Sequence, residues 1–162
     1  MRQDWDRLYR QTQDLYGTAA NQFIQEIAQT IPIQGNTLAI AEGEGRNILY
    51  LAQQARQHNT EFSAEVWDYA EVALQSLAAK AQAIDLKLTL RQVDLTEVIW
   101  PNQAYQNVIC VFGHFDQHTQ QQVLQGIRQS LQSGGWFIGE LYSMEQIKYA
   151  TGGPRNIEYL SH

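Results

Sequence analysis

The chain has 162 residues, 44% of them hydrophobic, enough for one packed domain over 1–162 and short for two. With 11 Lys+Arg against 17 Asp+Glu the net charge is -6 and the pI about 5.1, which excludes the basic footprint of a nucleic-acid or anionic-membrane partner. The single Cys110 excludes an intrachain disulfide. No window approaches a membrane span, and the first residues lack the apolar run of a signal peptide, so the chain reads as cytoplasmic.

In chain order, residues 18–31 keep helical spacing through Phe23, Ile24, Ile27, Ala28 and Ile31. The Ile31-Pro32 step then turns the chain out of the α region. Residues 38–41 are a short apolar run, and Ile48, Leu51, Ala52 and Ala55 follow at helical spacing, which predicts a strand feeding a helix. The unit repeats: residues 64–67 end at Asp68, and Leu74, Leu77, Ala78 and Ala81 mark the next helix. Residues 86–93 alternate as a strand and end at Asp94. Residues 108–112 form the most continuous apolar run and are expected at the centre of the sheet. A capping box from Thr119 is expected to start a helix through Val123, Leu124, Ile127 and Leu131, closed by Ser133-Gly134-Gly135. Residues 136–141 are a fifth apolar run, and 143–162 read as loop with a short helical stretch over 144–149.

Strands alternating with helices through right-handed crossovers predict an α/β, Rossmann-like doubly wound sheet. Five parallel strands in the order 3-2-1-4-5 are expected, with helices on both faces. Residues 1–34 are expected to form an N-terminal lid or helix, 35–142 the Rossmann-like core and 143–162 a C-terminal loop segment. Ligands of such sheets lie beyond the carboxyl ends of the strands, where the order reverses.

At that place stands Ala41-Glu42-Gly43-Glu44-Gly45-Arg46-Asn47. Gly43 and Gly45 permit positive φ and close backbone approach, and the N–H groups of the following helix face the turn. A dinucleotide fingerprint needs a third glycine where Ile48 stands, and no Lys follows the glycines as in a P-loop. Glu42 and Glu44 repel a pyrophosphate but suit a ligand with an amino group and a positive centre, such as S-adenosylmethionine. Asp68, 23 residues after Gly45, can accept both ribose hydroxyls or cap the next helix, and Tyr69 follows it. Asp94, followed by Leu95, can accept from an adenine amino group or serve as turn chemistry. His114, after Val111 and Phe112, is the candidate substrate-orienting or basic group, against a solvated structural role. His114, Asp116 and His118 make at most half a metal site, so no metal is expected. Cys110 reads as core. Trp5, Tyr9, Tyr16 and Tyr149 suit either a lid over a sulfonium or plain packing.

With these residues in view, the chain resembles the class I S-adenosylmethionine-dependent methyltransferases, and within them the tellurite-resistance TehB-like and thiopurine-methyltransferase-like branch. The segments that carry the resemblance are Trp5 to Tyr9, Tyr16 to Ile24, the Ala41 to Asn47 turn, Val66-Trp67-Asp68, Val93-Asp94-Leu95 and Thr151-Gly152-Gly153-Pro154. It implies that Ala41, Gly43 and Gly45 line the methionine part of the cofactor, Asp68 holds the ribose, and Asp94 and Leu95 contact the adenine. Val111 and Phe112 through His114 would face the sulfonium, and Tyr16 and Gly17 would belong to the lid; Glu42, Arg46, Asn47 and Tyr69 complete the expected cofactor set. The chain departs from the family at Ala39, where an acidic residue is usual, and at its end, where the usual antiparallel hairpin is missing from the pattern.

The expected activity is methyl transfer to a small-molecule acceptor. An already activated electrophile needs alignment and water exclusion more than a strong base. The rival expectation is a non-catalytic binding or regulatory module of the same fold. A nicotinamide-dependent oxidoreductase is disfavoured by Ile48 and the two glutamates. A hydrophobic fifth strand at the sheet edge would invite a homodimer.

Overall fold

The computed structural model describes Asp6 and residues 20–31, 33–42, 45–111 and 115–140. In chain order these give α1 (Gln22–Thr30), β1 (Gly35–Ile40), α2 (Arg46–Gln57), β2 (Phe62–Asp68), α3 (Glu71–Ala83), β3 (Thr89–Gln92), β4 (Tyr105–Val111), α4 (Gln117–Ser130) and β5 (Leu131–Glu140). The five strands form one parallel sheet in the order β3-β2-β1-β4-β5, as the alternation of elements predicts.

Side-chain alternation along each strand assigns the two faces. On one face, Ala39, Ala64 and Val66 pack against Ile48 of α2 and against Leu74 and Leu77 of α3. Beside them, Ile109, Val111 and Ile138 meet Ile24 of α1 and Leu51 of α2. On the other face, Leu38, Ile40, Trp67, Val108 and Cys110 pack against Val123 and Ile127 of α4. Trp100 completes that face: its ring lies 5.1 Å from Trp67, and it occupies the space that any side chain at Gly126 would fill, 2.1 Å from the ideal Cβ. Helices therefore cover both faces, and Cys110 is core. Each buried Leu or Ile of these clusters contributes about 1.5–3 kcal/mol.

Polar groups buried at the margins are paired. Glu65 accepts from the Trp67 indole N–H and, at 3.0 Å, from the Tyr105 hydroxyl. Burial first, and the Glu65 charge second, push the Tyr105 phenol above its ordinary range. The Arg91 guanidinium sits 5.2 Å over the Trp67 ring.

Four details differ from the sequence pattern. The middle of the sheet belongs to β1, between β2 and β4; the apolar β4 is internal but second from the edge. β3 begins at Thr89, because the N–H of Leu86 is drawn back to the carbonyl of Ala81 to close α3. α4 begins at Gln117, with Asp116 as its N-cap accepting from the Thr119 N–H at 2.7 Å, so Thr119 lies inside the helix. Ser133-Gly134-Gly135 does not close α4: the helix ends at Ser130, and those residues lie within β5 at a register irregularity where Tyr105 pairs with Leu131 but Asn107 with Trp136.

Candidate functional site

The register levels the carboxyl ends of the inner strands. Ile40 pairs with Trp67, Ala39 with Ile109 and Asp68 with Gln92, so Ala41, Asp68, Asp94 and Val111 share one rim. The chain leaves β1 towards α2 on one face, while its neighbour β4 continues into α4 on the other. That reversal opens a crevice between the two connections.

Two described residues of the turn after β1 have left-handed backbone. Ala41 has φ 54 and Gly45 φ 83, and the N–H of Gly45 donates to the carbonyl of Glu42 at 3.2 Å. Gly45 caps α2 without a side-chain acceptor. Its freedom is needed twice, because a Cβ there would stand 2.3 Å from Leu77 Cδ1. The space beside Gly45 is thus held by the core and not by the crevice.

The missing cap comes from Glu42. Its Oε1 accepts the backbone N–H of Asn47 at 3.0 Å and of Ile48 at 2.8 Å, with the residue 9% exposed. The N–H groups expected to face a ligand at the turn are thus taken up by Glu42, whose carboxylate points inward. Burial raises its pKa to about 7, against the two backbone hydrogen bonds, which lower it; the nearby charge of Asp68 raises it further.

Asn47, buried in the first turn of α2, extends the chain of bonds. Its Oδ1 accepts the N–H of Asn21 at 2.8 Å, and Asn21 Oδ1 caps α1 through Phe23 and Ile24. Arg46 opens α2 beside it. At the end of β2, Asp68 Oδ1 accepts the N–H of Ala70 at 2.8 Å, a local turn that fixes the carboxylate at the rim ahead of α3, with Tyr69 between. Asp94 carries turn chemistry: its Oδ1 accepts from the Thr96 N–H at 2.9 Å and hydroxyl at 2.6 Å. Leu95 packs inward beside Trp100 and Val98. Val111 ends β4 and is buried.

Of the residues singled out in the sequence, the structure brings Ala41, Glu42, Gly45, Arg46, Asn47, Asp68, Tyr69, Asp94, Leu95 and Val111 to the ends of the strands and the loops that follow them. Tyr16, Gly17, Gly43, Glu44, Phe112 and His114 lie outside the described residues, as do Trp5, Tyr9 and Tyr149. Among the described residues no group of three His, Cys, Asp or Glu converges as a metal ion requires, and Asp116 is spent on capping α4.

Asp6 escaped the sequence reading. Its Oδ1 accepts the N–H of Val72 at 3.3 Å, in the first turn of α3, which has no side-chain cap of its own. The signal was Ala70 at the N-cap position, a residue without an acceptor, where a donor pair in need of one implies a partner from elsewhere.

The rim is acidic, with Glu42 and Asp68 close enough for the charge of one to act on the other, and Arg46 at the start of α2 beside them. It fits a neutral or cationic ligand with hydroxyls to donate, and fits a phosphate poorly.

A family model described as a methyltransferase domain matches residues 37–135. No curated protein sequence matches the chain. Among solved structures, the PH0226 protein from Pyrococcus horikoshii is similar at 17% identity and a TM-score of 0.69, over 87% of this chain and 68% of that one. An S-adenosylmethionine-dependent methyltransferase from Clostridium acetobutylicum is 17% identical with a TM-score of 0.64, over 93% of this chain and 59% of its own. TehB from Haemophilus influenzae is 16% identical with a TM-score of 0.64, over 83% of this chain and 44% of its own. The chain thus spans between 44% and 68% of the length of these three structures.

Proposed function

The chain belongs to the methyltransferase-domain family, and from that premise we propose that it binds S-adenosylmethionine at this rim and transfers its methyl group to a small-molecule acceptor. One observation carries the reading: the left-handed turn at Ala41 and Gly45 and the Asp68 carboxylate stand level at the ends of adjacent strands, on the side where the sheet order reverses.

Bound there, the cofactor supplies a methyl group already activated by the sulfonium. The residues then need only hold and align. Asp68, at the end of β2, would accept from the ribose hydroxyls. The backbone of Ala41 and Gly45 borders the methionine part, and Leu95, with the Asp94 turn, walls the adenine side. The acidic character of the rim favours the positive centre. No described residue of the rim is placed as a general base, and such a displacement gains chiefly from orientation and exclusion of water. Soft or already anionic acceptors suit a site of this kind. The matching N-terminal and glycine-turn segments favour the TehB-like branch.

A second reading, a binding module without turnover, is favoured by Ala39. That position is fully buried against Ile48, with no acidic group where the wider family carries one. Calorimetry with S-adenosylhomocysteine, on the wild type and on Asp68→Ala, tests the site; methyl transfer to a panel of thiol and oxyanion acceptors separates the two readings. Binding that weakens in the variant supports the site, and its absence in the wild type counts against both. We also propose self-association through β5, which is outermost among the described strands and exposes Trp136 and Phe137 at 51% and 39%. No helix among the described residues is long and apolar enough to cross a membrane.

A further inference from the structure

The start of a helix that follows a strand and a glycine turn is ordinarily a seat for an anion, since its first N–H groups have no partner within the helix. In this chain the seat is taken from inside. Glu42 lies five and six residues before its ends of the two bonds, folds back under the turn, and places one oxygen on the N–H groups of both Asn47 and Ile48. The residue is 9% exposed, so the carboxylate has no ready route into water. The charges that face it are Arg46, from the first turn of α2, and Asp68, from the end of β2; the second makes the place more negative still.

A phosphate approaching this turn meets two obstacles. The N–H groups that would receive it are already satisfied, and the carboxyl group satisfying them carries like charge once it is ionised. A ligand whose polar end is uncharged or cationic meets neither.

We infer that Glu42 is the specificity-determining residue of the glycine turn, a built-in carboxyl group that occupies the helix N–H groups and closes the site to phosphate-bearing nucleotides while leaving it open to nucleosides with a neutral or cationic 5′ substituent. The inference deepens the proposed function and rests on it for the location of the ligand; what it adds is a residue and a rejected ligand class.

The test is calorimetry of the full chain at pH 8, above the Glu42 pKa of about 7, with adenosine, ADP and S-adenosylhomocysteine, on the wild type, Glu42→Gln and Glu42→Ala. The wild type is expected to bind adenosine more tightly than ADP. Glu42→Ala, which frees both N–H groups, is expected to raise ADP affinity about tenfold or more relative to adenosine. Glu42→Gln keeps an acceptor oxygen on the two N–H groups and removes only the charge, so its gain is smaller. Equal or tighter binding of ADP than of adenosine by the wild type overturns the inference, as does an ADP-to-adenosine ratio unchanged in both variants. If Glu42→Ala does not fold, the wild-type ratio and Glu42→Gln still decide. A wild type that ignores S-adenosylhomocysteine, with variants that gain ADP, sinks the proposed function and leaves this inference standing.

Discussion

Glu42 and Asn47 are joined so that the backbone of one caps into the side chain of the other: the Asn47 N–H donates to Glu42 Oε1 at 3.0 Å, while Asn47 Oδ1 receives the N–H of Asn21 at 2.8 Å. The turn at the crevice and the start of α1 are therefore parts of one hydrogen-bonded unit. The cost of that unit is a buried carboxylate.

Folding raises the Glu42 pKa from 4.5 to about 7. The folded state thus binds the proton more tightly, so the associated stability is complete below pH 4.5 and is lost as pH rises to about 7. The loss is about 3 kcal/mol. Glu42→Gln should match the wild type near pH 4.5 and melt higher at pH 8, by roughly 6–12 °C. Thermal unfolding across that range checks it; parallel curves for the two proteins would refute the assignment.

Replacing Asp68 should separate binding from folding. Asp68→Asn keeps an oxygen for the Ala70 N–H, so its circular dichroism and melting should stay close to wild type. Its affinity for S-adenosylhomocysteine should fall by about tenfold or more, because a neutral amide accepts hydroxyl hydrogens more weakly than a carboxylate. Undiminished affinity would move the ribose elsewhere.

The strand order and the rim were legible in the sequence because both follow from periodicity: apolar runs of strand length, helical spacing between them, and acidic residues where the runs stop. What stayed hidden was set by geometry that sequence spacing does not encode. Glu42 caps α2 although it precedes the N-cap residue, and no capping box has its acid there. The sequence pattern treated Ser133-Gly134-Gly135 as a helix stop, whereas β5 absorbs it as an irregularity opposite Gln106. Asp6 reaches α3 from the far end of the chain. Ala39 marks the opposite case, where the departure from the family pattern was visible and the structure supplies its setting, a position sealed by Ile48.

Gly45→Ala should cost about 2–4 kcal/mol, from a left-handed backbone and an overlap with Leu77. Pairing it with Leu77→Ala should relieve the overlap and leave the backbone strain, so the double variant should lose less than the two single losses together. Additive losses in urea unfolding would show that Leu77 is not what restricts this position.

Asp116→Ala should destabilise by about 1 kcal/mol at neutral pH through loss of the α4 cap. The Thr119 N–H, which donates to the Asp116 carboxylate, holds its pKa below the usual 3.8. The cap's contribution is therefore present above that value and lost as pH falls through the lowered folded one. The gap between variant and wild type should close in acid, and a constant gap down to the acid transition would contradict the capping role.

Self-association through β5 should give a concentration-dependent sedimentation coefficient at tens of micromolar, abolished in Trp136→Lys, which places a charge on the outer strand. A wild type that sediments as monomer throughout would end this proposal.

Trp100 and Gly126 have a bearing on the history of the chain. Trp100 lies in the connection between β3 and β4, its carbonyl held by Gln129 at 2.7 Å, and its ring fills the site of the absent side chain on α4. Neither position can drift alone: a larger residue at 126 must wait for a smaller one at 100, and a smaller one at 100 leaves a void until 126 grows. Among descendants of a common ancestor the two should be inherited as a pair, bulky with glycine or small with alanine, and an alignment in which they vary independently would show that the connection packs differently in the relatives.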